Sequence, residues 1–221
     1  MTALLIVGAG GHGKIVADIA RSLRTWERIA FLDDRYPEST TVSRWEIIGK
    51  ISDAKNYINE FPEGAVAIGT NSLRLEVLKK MLNKGFRFPV LIHPDATVSR
   101  SAKLGVGTVV CVQSAIDIDT EIGMGTIINA GATIAHDCRL GEGVHVSPGG
   151  RVSGGVIVGE CTWLGSGAIV KEMVSIGRRV IVGAGSVVIR DVPDQVTVVG
   201  VPGQIIKKTE YEEKTQFSEY Q

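Results

Sequence analysis

Two stretches of this chain hold side chains that can do chemistry. The run HDC at residues 136–138 sets an imidazole beside a carboxylate and a thiol, and a second imidazole follows at His145. A neighbouring carboxylate raises the basicity of an imidazole and fixes its tautomer, so His136 with Asp137 is a candidate general base near neutral pH. A solvated surface pair uses the same two residues. The other stretch is GAGGHGK, residues 8–14, where Gly8, Gly10 and Gly13 have the G-x-G-x-x-G spacing after an apolar run, Leu4 to Val7. A turn of this kind before a helix offers backbone N–H groups to a phosphate. Asp33 or Asp34 would accept from a base or ribose, and Arg35 would pair with a phosphate. Gly69 and Asn71, in IGTNSLR, sit at another strand's carboxyl end.

The elements that must position these residues follow two different periods. Up to about residue 92, strand patterns at 3–7, 29–32, 65–68 and 87–91 alternate with helical patterns at about 12–24, 52–59 and 72–84. That alternation predicts a short parallel α/β sheet, a Rossmann-like half domain. A dinucleotide site needs two such halves meeting at a switch point, and the rest of the chain is spent otherwise. One nucleotide therefore fits this segment better than NAD.

After His93-Pro94, every sixth residue from Val98 to Val188 is aliphatic, sixteen positions without a gap. Two residues before each stands a small residue or valine, as at Ala96, Ala102, Thr108, Ser114, Ala132, Cys138, Ala168 and Ser186. A short repeat of this kind predicts a parallel β-helix, each coil burying its interior against the coils above and below. Gly105, Gly123, Gly141, Gly159 and Gly177 recur every eighteen residues, so a coil has three sides and one corner needs a backbone without Cβ. Just over five coils form a triangular prism over residues 93–208, closing through RDVPDQVTVVGVPGQIIKK, and the polar tail 209–221 reads as flexible. Cys138 falls on an inward position and reads as packing. His136 and His145 fall outward, half a coil apart and on different sides. The groove between two packed prisms would bring such residues together more easily than one subunit.

Composition narrows the classes. With 221 residues, 44% hydrophobic, the chain can bury one large core or two modest ones. Its 24 basic residues balance 24 acidic ones, which gives no global pull towards nucleic acid or an anionic membrane. Cys111, Cys138 and Cys161 are odd in number and lack C-x-x-C spacing, against a disulfide framework or a zinc site. No basic n-region precedes Ala3 to Val7 and no apolar run reaches spanning length, so the chain reads as cytoplasmic.

The segments GAGGHGK, FLDD and AIGTN, joined to an unbroken hexapeptide prism carrying NAGATIAHDCRLGEGVHVSPGGRVSGG and closing on VVGVPGQ, resemble the bacterial sugar acyltransferases of the PglD/NeuD type over residues 2–207. The resemblance implies a left-handed β-helix, a homotrimer with active sites between prisms, and acetyl-CoA as co-substrate without a metal. It makes 1–92 a nucleotide-sugar domain and 93–208 an acetyltransferase domain. It implies His136 as catalytic base and Asp137, where relatives often have Glu, as the acid that tunes it. His145 would contact the acetyl thioester, and Gly154, Ser166 and Ala184 would line the pantetheine arm. Gly10, Gly11, His12, Asp33, Asp34 and Arg35 would hold the nucleotide, Arg35 standing where close relatives have Lys. Gly69 and Asn71 would lie near its phosphates and Asn129 near the sugar. The implied reaction is N-acetylation of the 4-amino group of a nucleotide-linked 4-amino-4,6-dideoxy sugar, UDP-linked, for surface glycan synthesis. His136 would take the amine proton and a backbone N–H such as that of Gly154 would hold the oxyanion. Two rivals make different demands: O-acetylation of a sialic acid, the NeuD side of the resemblance, has no need of the nucleotide contacts, and a silent β-helix scaffold would bind no acetyl-CoA.

Overall fold

The structure, a computed structural model, describes residues 2–208. The expected flexible tail lies outside the described residues. Strand β1 (Ala3–Val7) is buried throughout, which is why it reads as a continuous apolar run. It pairs in parallel with β2 (Arg28–Leu32) on one side and, on the other, with β5 (Glu63–Val66). Helix α1 (Gly11–Leu23) buries Val16, Ala17, Ile19 and Ala20, and α2 (Asn71–Asn83) follows β5.

Three local features depart from the sequence pattern. A hairpin of β3 (Thr41–Val42) and β4 (Trp45–Gly49) extends the sheet, giving the order β3-β4-β2-β1-β5. Its turn runs through Ser43 at φ 53° without the Asn-Gly or Asp-Gly pair that marks such turns in a sequence. A 3₁₀ helix at Ile51–Tyr57 replaces the α-helix expected over 52–59. The run 87–91 divides: Arg87 makes an isolated bridge to Glu63, whereas Leu91–Ile92 pairs with Val109–Val110 and starts the β-helix.

From there the chain winds as a left-handed parallel β-helix whose three faces are sheets of six, five and eight strands. Partners lie one coil apart, as in Thr133 opposite Arg151 and Ile134 opposite Val152. The aliphatic column from Val110 to Val188 forms one continuous core. The small inward residues do more than leave room. Thr108, Ser114, Thr120 and Thr162 donate their hydroxyls to carbonyls fifteen residues on, at 2.7–3.2 Å. These bonds satisfy polar groups that would otherwise be costly inside an apolar prism. Cys138 follows the same rule, its Sγ 3.1 Å from the Ser153 carbonyl, and burial pushes its thiol up.

The glycine column answers to close stacking. A Cβ on Gly123 would stand 2.6 Å from the backbone nitrogen of Glu142 in the next coil. A second column, every sixth residue from Gly107 to Gly185, takes left-handed backbone at each corner. The two segments of the chain share a core, since Leu91, Val109 and Cys111 of the prism pack with Leu4, Val16 and Phe31 of the α/β sheet.

Candidate active site

His136 lies on the corner that follows the strand Thr133–Ile134. Its Nδ1 is 2.7 Å from Asp137 Oδ2, and both side chains are well exposed. Asp137 occupies a left-handed corner position, φ 59°, a conformation that Asp tolerates better than most residues. One coil on, Gly154 lies under the imidazole, where a Cβ would come within 2.7 Å of Nε2 and Cε1. The ring can rest there because position 154 is glycine. The His136 carbonyl accepts from the Gly155 N–H at 2.9 Å. Ile118 and Met173, on the same corner, are exposed.

Asn129, Ser166 and Ala184 sit on a different corner, between the eight- and six-stranded sheets. Ser166 and Ala184 stack in adjacent coils, with the Gly185 N–H donating to the Ser166 carbonyl at 2.8 Å. Asn129 Oδ1 accepts its neighbour Ala130's N–H at 2.9 Å, so its Nδ2 is turned towards His145 Nε2, 3.3 Å away. That contact makes Nε2 the acceptor and puts the ring proton on Nδ1. His145 stacks on Trp163, centroids 6.0 Å apart and planes 10° from parallel, while Trp163 Nε1 donates to Ser147 Oγ at 2.6 Å. Burial, then the charges of Arg74 and His12, push the His145 pKa down to about 3.

The glycine loop divides its labour. Gly13 permits close helix–strand packing, a Cβ there falling 2.2 Å from the Gly8 carbonyl oxygen, whereas Gly10, Gly11 and Gly69 face open space. Asp33 Oδ2 accepts the Ala9 N–H at 2.7 Å and Oδ1 takes Arg35 Nε at 2.7 Å, while Arg35 Nη2 reaches the Ala9 carbonyl at 3.1 Å. Burial alone would raise the Asp33 carboxyl, but these bonds outweigh it and hold the group below its ordinary value. Asp34 accepts the Ile51 N–H at 3.1 Å. Both acids therefore shape the loop, a role their position in the sequence does not announce. His12 Nε2 is buried with no hydrogen-bond partner among the described residues. Burial, then Arg74, lowers the His12 pKa to about 4.

Asn71 is placed differently from a phosphate contact. Its side chain is buried and donates to the carbonyls of Cys161 and Thr162 at 3.1 and 3.2 Å. Arg74, one turn on and only 1% exposed, joins it against the prism. Sequence reading passed over Arg74, whose one visible signal is a cation on the inward side of an amphipathic helix. Among the described residues, no group of three or more His, Cys, Asp or Glu is placed to hold a metal ion, and no helix is long and apolar enough to cross a membrane.

A prism of stacked hexapeptides with an exposed imidazole on one corner defines a hexapeptide-repeat transferase, and residues 119–154 match the bacterial transferase hexapeptide model, six repeats. Residues 3–81 match the PglD N-terminal domain. The acetyltransferase domain of PglB from Neisseria gonorrhoeae FA1090 is 39% identical, with 93% of this chain and 100% of that one covered and a TM-score of 0.90; it is also solved in complex with acetyl coenzyme A. PerB from Caulobacter crescentus, solved with CoA and GDP-perosamine, is 39% identical over 94% of this chain and 98% of its own, TM-score 0.89. The UDP-N-acetylbacillosamine N-acetyltransferase of Bacillus subtilis (strain 168) is 37% identical over 112 residues, 50% of this chain and about half, 51%, of that protein. The chain belongs to the PglD-type family of hexapeptide-repeat sugar acetyltransferases.

Proposed function

We propose that this protein transfers the acetyl group of acetyl-CoA to the 4-amino group of a nucleotide-linked 4-amino-4,6-dideoxy sugar, UDP-linked, for surface glycan synthesis in the cytoplasm. The observation that carries the reading is the His136 ring lying over Gly154 with its Nδ1 against Asp137, on a chain whose glycine loop leads into His12, its Nε2 buried without a hydrogen-bond partner among the described residues. A buried nitrogen of this kind calls for a partner, and in this reading the nucleotide sugar supplies it. PerB with GDP-perosamine and the PglB domain with acetyl-CoA have the donor and acceptor chemistry the proposal requires.

The neutral sugar amine attacks the thioester carbonyl, forming the N–C bond. His136 Nε2 takes the amine proton, and the C–S bond breaks as the tetrahedral intermediate collapses. The thiolate of CoA leaves and is protonated from the imidazolium, which restores the base. Asp137 holds Nδ1–H so that Nε2 is the basic nitrogen. Gly154 supplies the backbone N–H for the oxyanion. Gly10, Gly11, Asp33, Asp34 and Arg35 hold the nucleotide, with Gly69 beside its phosphates, and Asn129 meets the sugar. His145, Ser166 and Ala184 line the path of acetyl-CoA.

The corner bearing His136 and Gly154 differs from the corner bearing Asn129, Ser166 and Ala184. We therefore place the complete site between the prisms of a homotrimer, each groove taking one corner from each of two neighbours. Release of CoA thiol from acetyl-CoA, measured against UDP-, GDP- and dTDP-linked 4-amino-4,6-dideoxy sugars and free sialic acid, tests the reading. Fast turnover with the UDP sugar alone supports it. Turnover with sialic acid alone moves the reaction to O-acetylation, and turnover with the GDP or dTDP sugar alone overturns the choice of nucleotide.

A further inference from the structure

Helix α2 lies along one corner of the prism in a register set by geometry. The helix pitch of about 5.4 Å nearly matches the strand spacing of about 4.7–4.9 Å, so successive turns of α2 meet successive coils. A Cβ at Gly107 or Gly125 would meet Leu78 at 3.0–3.1 Å, and one at Gly143 would meet the Asn71 carbonyl and Leu75 at 3.4–3.5 Å. On this row Arg74 spans two coils: Nε donates to the Gly125 carbonyl at 2.8 Å and Nη2 to that of Gly143 at 2.8 Å. Its other contacts tie the guanidinium to its own domain, through Nη1 to the Ile68 carbonyl at 3.0 Å and Nη2 to Asn71 Oδ1 at 2.9 Å. Asn71 reaches the third coil, at Cys161 and Thr162.

We propose that Arg74, with Asn71, is the positioning residue of this protein, clamping the glycine-loop domain to three successive coils so that a sugar held by that domain meets the prism at a fixed distance. The proposal rests on the acetyl-transfer reading given above. A fork with several N–H groups in one plane is what the task needs, since it must bridge carbonyls on two coils while gripping its own helix. An ammonium group has no such span. The same guanidinium acts electrostatically on His12 and His145, one from each segment, which places it between the two halves of the site.

The test uses the full chain and its Arg74→Lys, Arg74→Met and Asn71→Ala variants, with acetyl-CoA and the UDP-linked 4-amino-4,6-dideoxy sugar as probes. Arg74→Met and Arg74→Lys are expected to lose about 10- to 100-fold in kcat/KM for the sugar while KM for acetyl-CoA stays within about twofold. Asn71→Ala, which keeps the guanidinium and removes only one of its acceptors, should show a smaller loss of the same kind and keeps the test open if the arginine variants fail to fold. Sugar kcat/KM within twofold of the parent in Arg74→Met overturns the proposal, as does an equal loss for both substrates, the mark of a merely structural role. If the parent chain leaves the sugar unacetylated, the proposed function fails on its own account. Hydrogen–deuterium exchange then decides the positioning role: faster exchange in α1 and α2 with unchanged prism strands supports it, and unchanged exchange in all four proteins overturns it.

Discussion

At the scale of single residues, two neighbours on one corner make opposite demands. In the proposed reaction His136 moves a proton, and Gly154 leaves the space in which the imidazole lies. If His136 is the general base, as proposed, His136→Ala should cost about 10²–10⁴ in rate, and the exposure of the ring means that the fold should survive. Thiol release together with circular dichroism checks both halves of that expectation. Gly154→Ala should be nearly as damaging to kcat while leaving melting temperature almost unchanged, because the added methyl displaces a side chain that is free to swing into solvent. Retention of full activity in that variant would mean that the ring does not work from the observed position.

At the scale of elements, the corner glycines and the left-handed positions carry the prism for different reasons. At Gly123 the neighbour is backbone of the next coil, 2.6 Å from where a Cβ would stand, and backbone cannot swing away. Gly123→Ala should therefore cost about 1–3 kcal/mol or more, as overpacking does, and thermal or denaturant melting will read it. The two columns were unequally legible. The eighteen-residue recurrence from Gly105 to Gly177 exposes the stacking column directly, whereas the left-handed column is glycine at eight of its fourteen positions and Gln113, Asp119, Asp137, Cys161, Met173 or Arg179 at the rest, so that no unbroken recurrence marks it. Asp137 belongs to that hidden column. Its contact with His136 was foreseeable from chain adjacency, but its backbone conformation was not.

At the scale of the whole molecule, the seam between the α/β domain and the prism sets the response to acid. His145 and His12 stay neutral down to about 3 and 4 in the folded chain, whereas the unfolded chain protonates both near 6.5. The unfolded state then binds more protons below that value, so stability is fully present above about pH 6.5 and is lost as pH falls towards the folded values. Melting temperature should drop between pH 7 and pH 5, and His145→Gln should flatten the slope. A flat profile in the parent chain would show that the seam opens to water. Light scattering should return about three times the 23.6 kDa chain mass if the groove between prisms completes the site.

The sequence by itself determined the two periods, the three-sided coil, the inward column, the outward histidines and the glycine loop. Each is a local or strictly periodic property, and strand pairing at a fixed eighteen-residue offset carries a periodic pattern straight into three dimensions. Only the tertiary structure decided what happens where the two periods meet. Arg74 donates to Gly125 and Gly143, 51 and 69 residues away, and Asn71 turns from a phosphate contact into an anchor on Cys161 and Thr162. Likewise Asp33 and Asp34 spend oxygens on the N–H groups of Ala9 and Ile51. These partners are backbone groups, identical at every residue and therefore silent in a sequence, and only the docking of a helix against the coils selects which of them a side chain meets.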